Sequence, residues 1–181
     1  MGVMDNIKRK LSDFSFMREV SPNRVVKAIN IKNAQRVGIV YRGDDEEAKE
    51  LVERYVKFLK NYKVKCKTLG YYNADELPRY VTPKLEYDYF VKKDLNWKLK
   101  TLIPEVENFI QTPFDILIDT TVKEDEVLRF IVRKSQSTFK VGAAGLKDSS
   151  DLDFTINLKE GEGLRQLMKG LDNYLHLINK N

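Results

Sequence analysis

Histidine, cysteine and tryptophan occur once each in this chain, as His176, Cys66 and Trp97, and their scarcity excludes much chemistry. One cysteine cannot close an intramolecular disulfide or build a cysteine-based metal cluster. One histidine leaves a single imidazole for any Ser–His–Asp or Cys–His relay, and it falls in the closing helical pattern beside Leu175 and Leu177. No run approaches the roughly 20 apolar residues of a membrane span. The first residues, Met1 to Asn6, lack the apolar core and small-residue cleavage site of a signal peptide. Asn at position 6 also breaks the myristoylation pattern. Cytoplasmic residence is the expectation. There is no Gly-x-Gly-x-x-Gly and no Walker motif, so neither standard nucleotide cradle is written into the chain.

What remains is an ordinary globular composition, 42% hydrophobic and 33% charged over 181 residues, enough for one full core. Its net charge of +5 is unevenly placed. Residues 1–36 carry eight Lys/Arg against three acids, whereas the other 24 basic and 24 acidic residues cancel. Val3, Ile7, Leu11 and Phe14 recur at helical spacing, predicting an amphipathic helix over 3–17 with Lys8, Arg9 and Lys10 between its apolar positions. Val25, Val26 and Ile29 suggest a second short helical piece after Ser21-Pro22-Asn23. Residues 1–35 are therefore set apart as a basic amphipathic helical arm, and 36–181 as a single α/β domain. Such an arm can meet a protein, a ribonucleoprotein, RNA or an anionic surface, or be a solvated helix face.

From Arg36 onward, short apolar runs alternate with helical periodicity. Strands are expected at 36–41, 64–69, 86–91, 114–119, 139–143 and 152–158. Helices are expected over 44–61, from Pro104, around Val127–Val132, and from Leu164 to Ile178. Asp44, with Glu47 three residues on, reads as the cap of the first. A short element at Asp75–Tyr80 is interrupted by Pro78. Phe114-Asp115-Ile116-Leu117-Ile118-Asp119 reads as a central strand buried on both faces. The whole predicts a three-layer Rossmann/flavodoxin-like sandwich, with a mostly parallel sheet of five or six strands and an N-terminal helical arm.

Ligands of such sheets sit at the carboxyl edge, where strand order reverses. In a flavodoxin-like order that edge gathers Arg42, Asp94, Asn96, Trp97, Asp119, Thr120 and Thr121. Trp97 could stack on a ring, and Asp94 or Asp119 could accept hydrogen bonds from ligand hydroxyls. The plainer reading has Trp97 capping the core and the acids completing turns. Acidic helix starts at Asp44-Asp45-Glu46-Glu47 and Glu124-Asp125-Glu126 would repel phosphate. Two acids with no partner base make no mechanism. No catalytic residue, metal ligand or cofactor is therefore assigned. Cys66 reads as a small inward hydrophobe.

Lys93-Asp94-Leu95-Asn96-Trp97, Phe114 to Asp119, and Ser135 to Gly142, with Val37-Gly38-Ile39 and Leu69-Gly70-Tyr71, resemble a family of small uncharacterised bacterial proteins, a domain of unknown function. That resemblance covers most of residues 30–180 and implies no activity. The central strand, its helix and Lys140-Val141-Gly142 look like the N-terminal, acceptor-side half of heptosyltransferase-type glycosyltransferases, which implies a shared fold more than a shared reaction. The expected function is a non-catalytic binding module for a protein or ribonucleoprotein partner, engaged in part through Lys8, Arg9 and Lys10. The alternatives are a nucleotide or sugar-nucleotide binder or enzyme using the carboxyl edge, and RNA binding through the arm.

Overall fold

The computed structural model describes residues 23–96, 103–146 and 149–178. Six strands form one sheet, parallel throughout: β1 (Arg36–Arg42), β2 (Lys65–Tyr72), β3 (Tyr87–Val91), β4 (Ile116–Asp119), β5 (Phe139–Ala143) and β6 (Phe154–Ile156). Their order is β3-β2-β1-β4-β5-β6, the doubly wound arrangement. The order reverses between β1 and β4, which lie side by side with Val37 opposite Ile116 and Val40 opposite Asp119. The strand expected at 114–119 holds the central position as Ile116–Asp119, and all four of those residues are buried.

Four helices cover the sheet: α1 (Glu46–Asn61), α2 (Pro104–Gln111), α3 (Glu126–Lys134) and α4 (Leu164–Leu177). Period-two alternation in the strands divides the core. Val37, Ile39, Ile116, Ile118 and Val141 face α1 and α4, packing on Val52, Val56, Leu167 and Leu171. Val40, Leu69, Phe90 and Leu117 face α2 and α3, packing on Val106, Phe109, Leu128 and Ile131. Gly38 leaves room for Phe114 on that second face, because a Cβ there would lie 2.7 Å from the ring. At the amino edge, Asp115 Oδ2 accepts from the backbone N–H of Gln35 (2.7 Å) and Arg36 (2.9 Å), pinning the start of β1 to β4. Among the described residues no helix is long and apolar enough to cross a membrane.

Local pattern and structure part company in three places. Residues 23–30 are irregular and not helical, with Val25 and Val26 exposed. Their polar groups bond across the molecule: Lys27 N donates to Thr138 O and Ile31 N to Leu175 O, while the Asn30 amide donates to His176 O and Ile178 O. Arg24 completes this strap, donating to Ser137 O, Thr138 O and Asp153 Oδ1. Long-range partners replace the i−4 carbonyls a helix would use. Asp75–Tyr80 forms only bends and turns, consistent with Pro78 having no N–H to give. The cap of α1 is Asp45, whose side chain accepts from Ala48 N, and not Asp44. Residues 1–22, with Lys8, Arg9 and Lys10, lie outside the described residues, as does Trp97.

Candidate functional site

Between the carboxyl ends of β1 and β4 lies a crevice of about 640 Å³. Three segments wall it: the turn after β1, the turn after β4, and the residues that open α4. Arg42, the last residue of β1, spans the first two. Its Nε and Nη2 donate to both oxygens of Asp44 at 2.8 and 2.6 Å, and its Nη1 donates to Asp125 Oδ2 at 2.8 Å. The guanidinium also lies 5.2 Å from the centre of the Tyr71 ring. Hydrogen bonds from Arg42 hold the Asp44 carboxyl below its ordinary range, and those to Asp44 and Asp125 keep Arg42 protonated more firmly than usual. Asp44 Oδ2 accepts from Asn73 N as well, so one clasp joins the turns after β1, β2 and β4.

Helix N-termini attract phosphate when their first N–H groups are unspent. Here two are spent on the chain's own acids. Asp45 takes Ala48 N at the start of α1, and Asp125 Oδ1 takes Val127 N and Leu128 N at the start of α3. The third helix at the crevice, α4, begins at Gly163 without a side-chain cap, though Gly163 N donates to Gln166 Oε1 and Glu162 stands beside it. Six carboxylates (Asp44, Asp45, Glu47, Glu124, Asp125, Glu162) and two cations (Arg42, Lys123) line the space. By formal charge the lining is acidic, and Arg165 and Arg129 pair with its Glu47 and Glu124 from outside it. Among the described residues, no group of three or more His, Cys, Asp or Glu side chains could hold a metal ion.

Asp119, Thr120 and Thr121 leave β4 towards this crevice. Thr120 Oγ1 donates to Val40 O at 2.9 Å, fastening the strand end to β1. Asp119 Oδ1 accepts from Thr121 N (2.9 Å) and from Thr121 Oγ1 (2.7 Å). Burial pushes the Asp119 carboxyl up to about 6, against the lowering effect of the two Thr121 bonds. One oxygen receiving both an N–H and an O–H from residue i+2 is an Asx-type turn, and it closes the strand.

Of the residues expected at this edge, Arg42, Thr120 and Thr121 line the crevice together, and Asp119 sits in the strand end behind Thr121. Asp94 and Asn96 follow β3 at the sheet's far edge and are not among its walls. Three strand spacings separate β3 from β4, about 14 Å at the usual interval. Asp94 Oδ2 completes a turn there, accepting from Val91 N at 2.8 Å. The wall formed by Glu162, Gly163 and Leu164 was not expected. Its signal in the chain is the pair Gly161 and Gly163 before an apolar helix, with Gly161 at φ +82°.

His176 Nδ1 lies 2.8 Å from Asp172 O, far along α4 from the crevice. Burial raises the Cys66 thiol to about 12, which leaves it protonated and unreactive at neutral pH.

Residues 8–178 match the family model of DUF6913, a family of unknown function. The chain belongs to that family. The match to DUF6913 begins inside the N-terminal segment and ends at Ile178, the C-cap of α4 and the last described residue. No curated protein and no solved structure matches the chain.

Proposed function

We propose that this DUF6913 protein is a non-catalytic, cytoplasmic binding module whose switch-point crevice receives a cationic segment of a protein partner. The observation that carries the reading is the crevice lining, six carboxylates against two cations: Asp44 and Asp125 pair with Arg42, Glu47 with Arg165 and Glu124 with Arg129, and Asp45 and Glu162 stand outside these ion pairs. The capped starts of α1 and α3 remove the usual place for a nucleotide's phosphates, which weighs against the nucleotide and sugar-nucleotide alternative. Asp119 Oδ1 is taken up by Thr121 N and Thr121 Oγ1 in the turn that closes the strand, which weighs against a nucleophile–base pair for acyl or phosphoryl transfer. The basic arm, with Lys8, Arg9 and Lys10, stays in this proposal as a second contact with the same partner.

Calorimetric titration tests it. Tetralysine should bind the full chain despite the overall charge of +5, and binding should weaken as salt rises. Glu162→Gln together with Glu47→Gln should weaken it several-fold. A pyrophosphate or nucleoside diphosphate that binds tighter than tetralysine would overturn the reading in favour of a nucleotide site.

A further inference from the structure

The outer surface of α1 and α4 holds an apolar valley unrelated to the crevice. One part, of about 330 Å³, runs between Leu51, Tyr55 and Phe58 of α1 and Met168 of α4. A second part, of about 520 Å³, continues it past Phe58 to Tyr62, His176 and Leu177. Both share Phe58 and Asp172, so they form one trough. Its floor is an aromatic row: Tyr55 and Phe58 stack at 5.6 Å, Phe58 meets Tyr62 edge-on at 5.0 Å, and His176 lies 5.9 Å from both Phe58 and Tyr62. Leu177 is 62% exposed and Tyr62 38%, unusual openness for residues of this size beside an apolar floor.

Arg54, Arg165 and Lys169 line the trough against one acid, Asp172, which already accepts from Tyr55 Oη at 3.1 Å. Arg54 pairs with Glu50 at 3.6 Å and Arg165 with Glu47 at 2.7 Å, so the excess positive charge of the rim rests on Lys169. Lys32 adds a fourth cation 5.8 Å from the Tyr62 ring centre. Along α1 the valley runs from Leu51 to the C-cap Tyr62, about 18 Å, the length of a little over three helical turns.

We propose that this valley is a docking surface for an amphipathic helix of a partner protein, apolar on one side and acidic on its flanks. An apolar trough between two helices suits a helix-in-groove complex, and the cationic rim selects the acidic flank. Charge also ranks the other occupants. The chain's own residues 3–17 set Lys8, Arg9 and Lys10 between their apolar positions, like in sign to the rim. A second copy placed face to face would bring the same three rim cations together. The valley lies on a different face from the crevice, the two meeting only at the Arg165–Glu47 pair, and Leu177→Glu and Lys169→Glu test it apart from the crevice.

The test uses the full chain and two synthetic 15-residue peptides with one leucine stripe at helical spacing, flanked by glutamate in one and lysine in the other. Fluorescence anisotropy should show the glutamate peptide binding at least tenfold tighter than the lysine peptide, with the gap narrowing in high salt. Leu177→Glu and Lys169→Glu lie on the exposed rim, and each should weaken binding about tenfold with the melting temperature unchanged. Equal binding of both peptides, or binding indifferent to both substitutions, overturns the proposal. A full-length Leu11→Glu variant that binds the glutamate peptide over tenfold tighter overturns it in favour of the chain's own N-terminal segment. A dimer in sedimentation that Leu177→Glu dissolves overturns it in favour of a second copy.

Discussion

Asp119 and Lys140 are ionisable groups buried in neighbouring strands, and each leaves a mark on stability. Asp119 has its carboxyl raised from 3.8 to about 6 by burial. A raised carboxyl binds its proton more readily in the folded state, so its stabilising contribution is complete below pH 4 and is lost as pH rises through 6. Asp119→Asn should therefore flatten the fall in unfolding free energy between pH 4 and 6, a difference of about 2 kcal/mol in urea titrations across that window. Lys140 is 1% exposed, and its Nζ donates to Arg133 O at 3.1 Å. Burial draws its ammonium down from 10.5 to about 8. The unfolded chain then holds the proton more tightly, so this group costs most below pH 8, and the cost is relieved as pH rises towards 10. Lys140→Met should remove that rise, leaving the variant's stability flatter than the parent's between pH 8 and 10. A profile identical to the parent's would mean that Lys140 is solvated.

At the scale of elements, the helix starts govern both stability and site chemistry. Asp45→Ala should cost about 1 kcal/mol, the usual worth of an N-cap. Asp125→Ala should cost more, about 2 kcal/mol, because the same side chain caps α3 and pairs with Arg42. Urea unfolding of the two variants checks the ordering. α1, α3 and α4 were legible in the sequence because apolar periodicity persists over several turns, and β4 because Ile116-Leu117-Ile118 has no polar break. The cap of α1 was misplaced by one residue. Asp44 and Asp45 are locally equivalent, and what separates them is Arg42, which takes Asp44 in a bidentate pair. Val25, Val26 and Ile29 mimic a helix by spacing, yet contacts to Thr138 and Leu175, over a hundred residues away, decide their backbone.

For the molecule as a whole, strand order does what local pattern cannot. It carries Asp94 and Asn96 away from the crevice and brings Glu162–Leu164 into it, and nothing near those residues announces either outcome. The chain from Arg24 onward is tied to the body by long-range bonds, chiefly the Arg24–Asp153 pair at 2.7 Å, with side chains 12% and 13% exposed. Arg24→Ala removes the Asp153 ion pair and the side-chain donor of Ser137 O, and leaves Thr138 O with Lys27 N alone. It should cost about 3–5 kcal/mol in global unfolding, far more than a surface pair. A loss below 1 kcal/mol would mean the strap is an ornament on the fold.

The proposed preference of the β1–β4 crevice of this DUF6913 protein for cations over phosphates is open to direct test. The most direct measurement is an amide ¹⁵N–¹H correlation spectrum of the full chain, titrated with tetralysine and, separately, with pyrophosphate at equal ionic strength. The Thr120, Thr121, Asp125 and Gly163 resonances should move with tetralysine and stay in place with pyrophosphate. Movement of those four with pyrophosphate, and stillness with tetralysine, would contradict it.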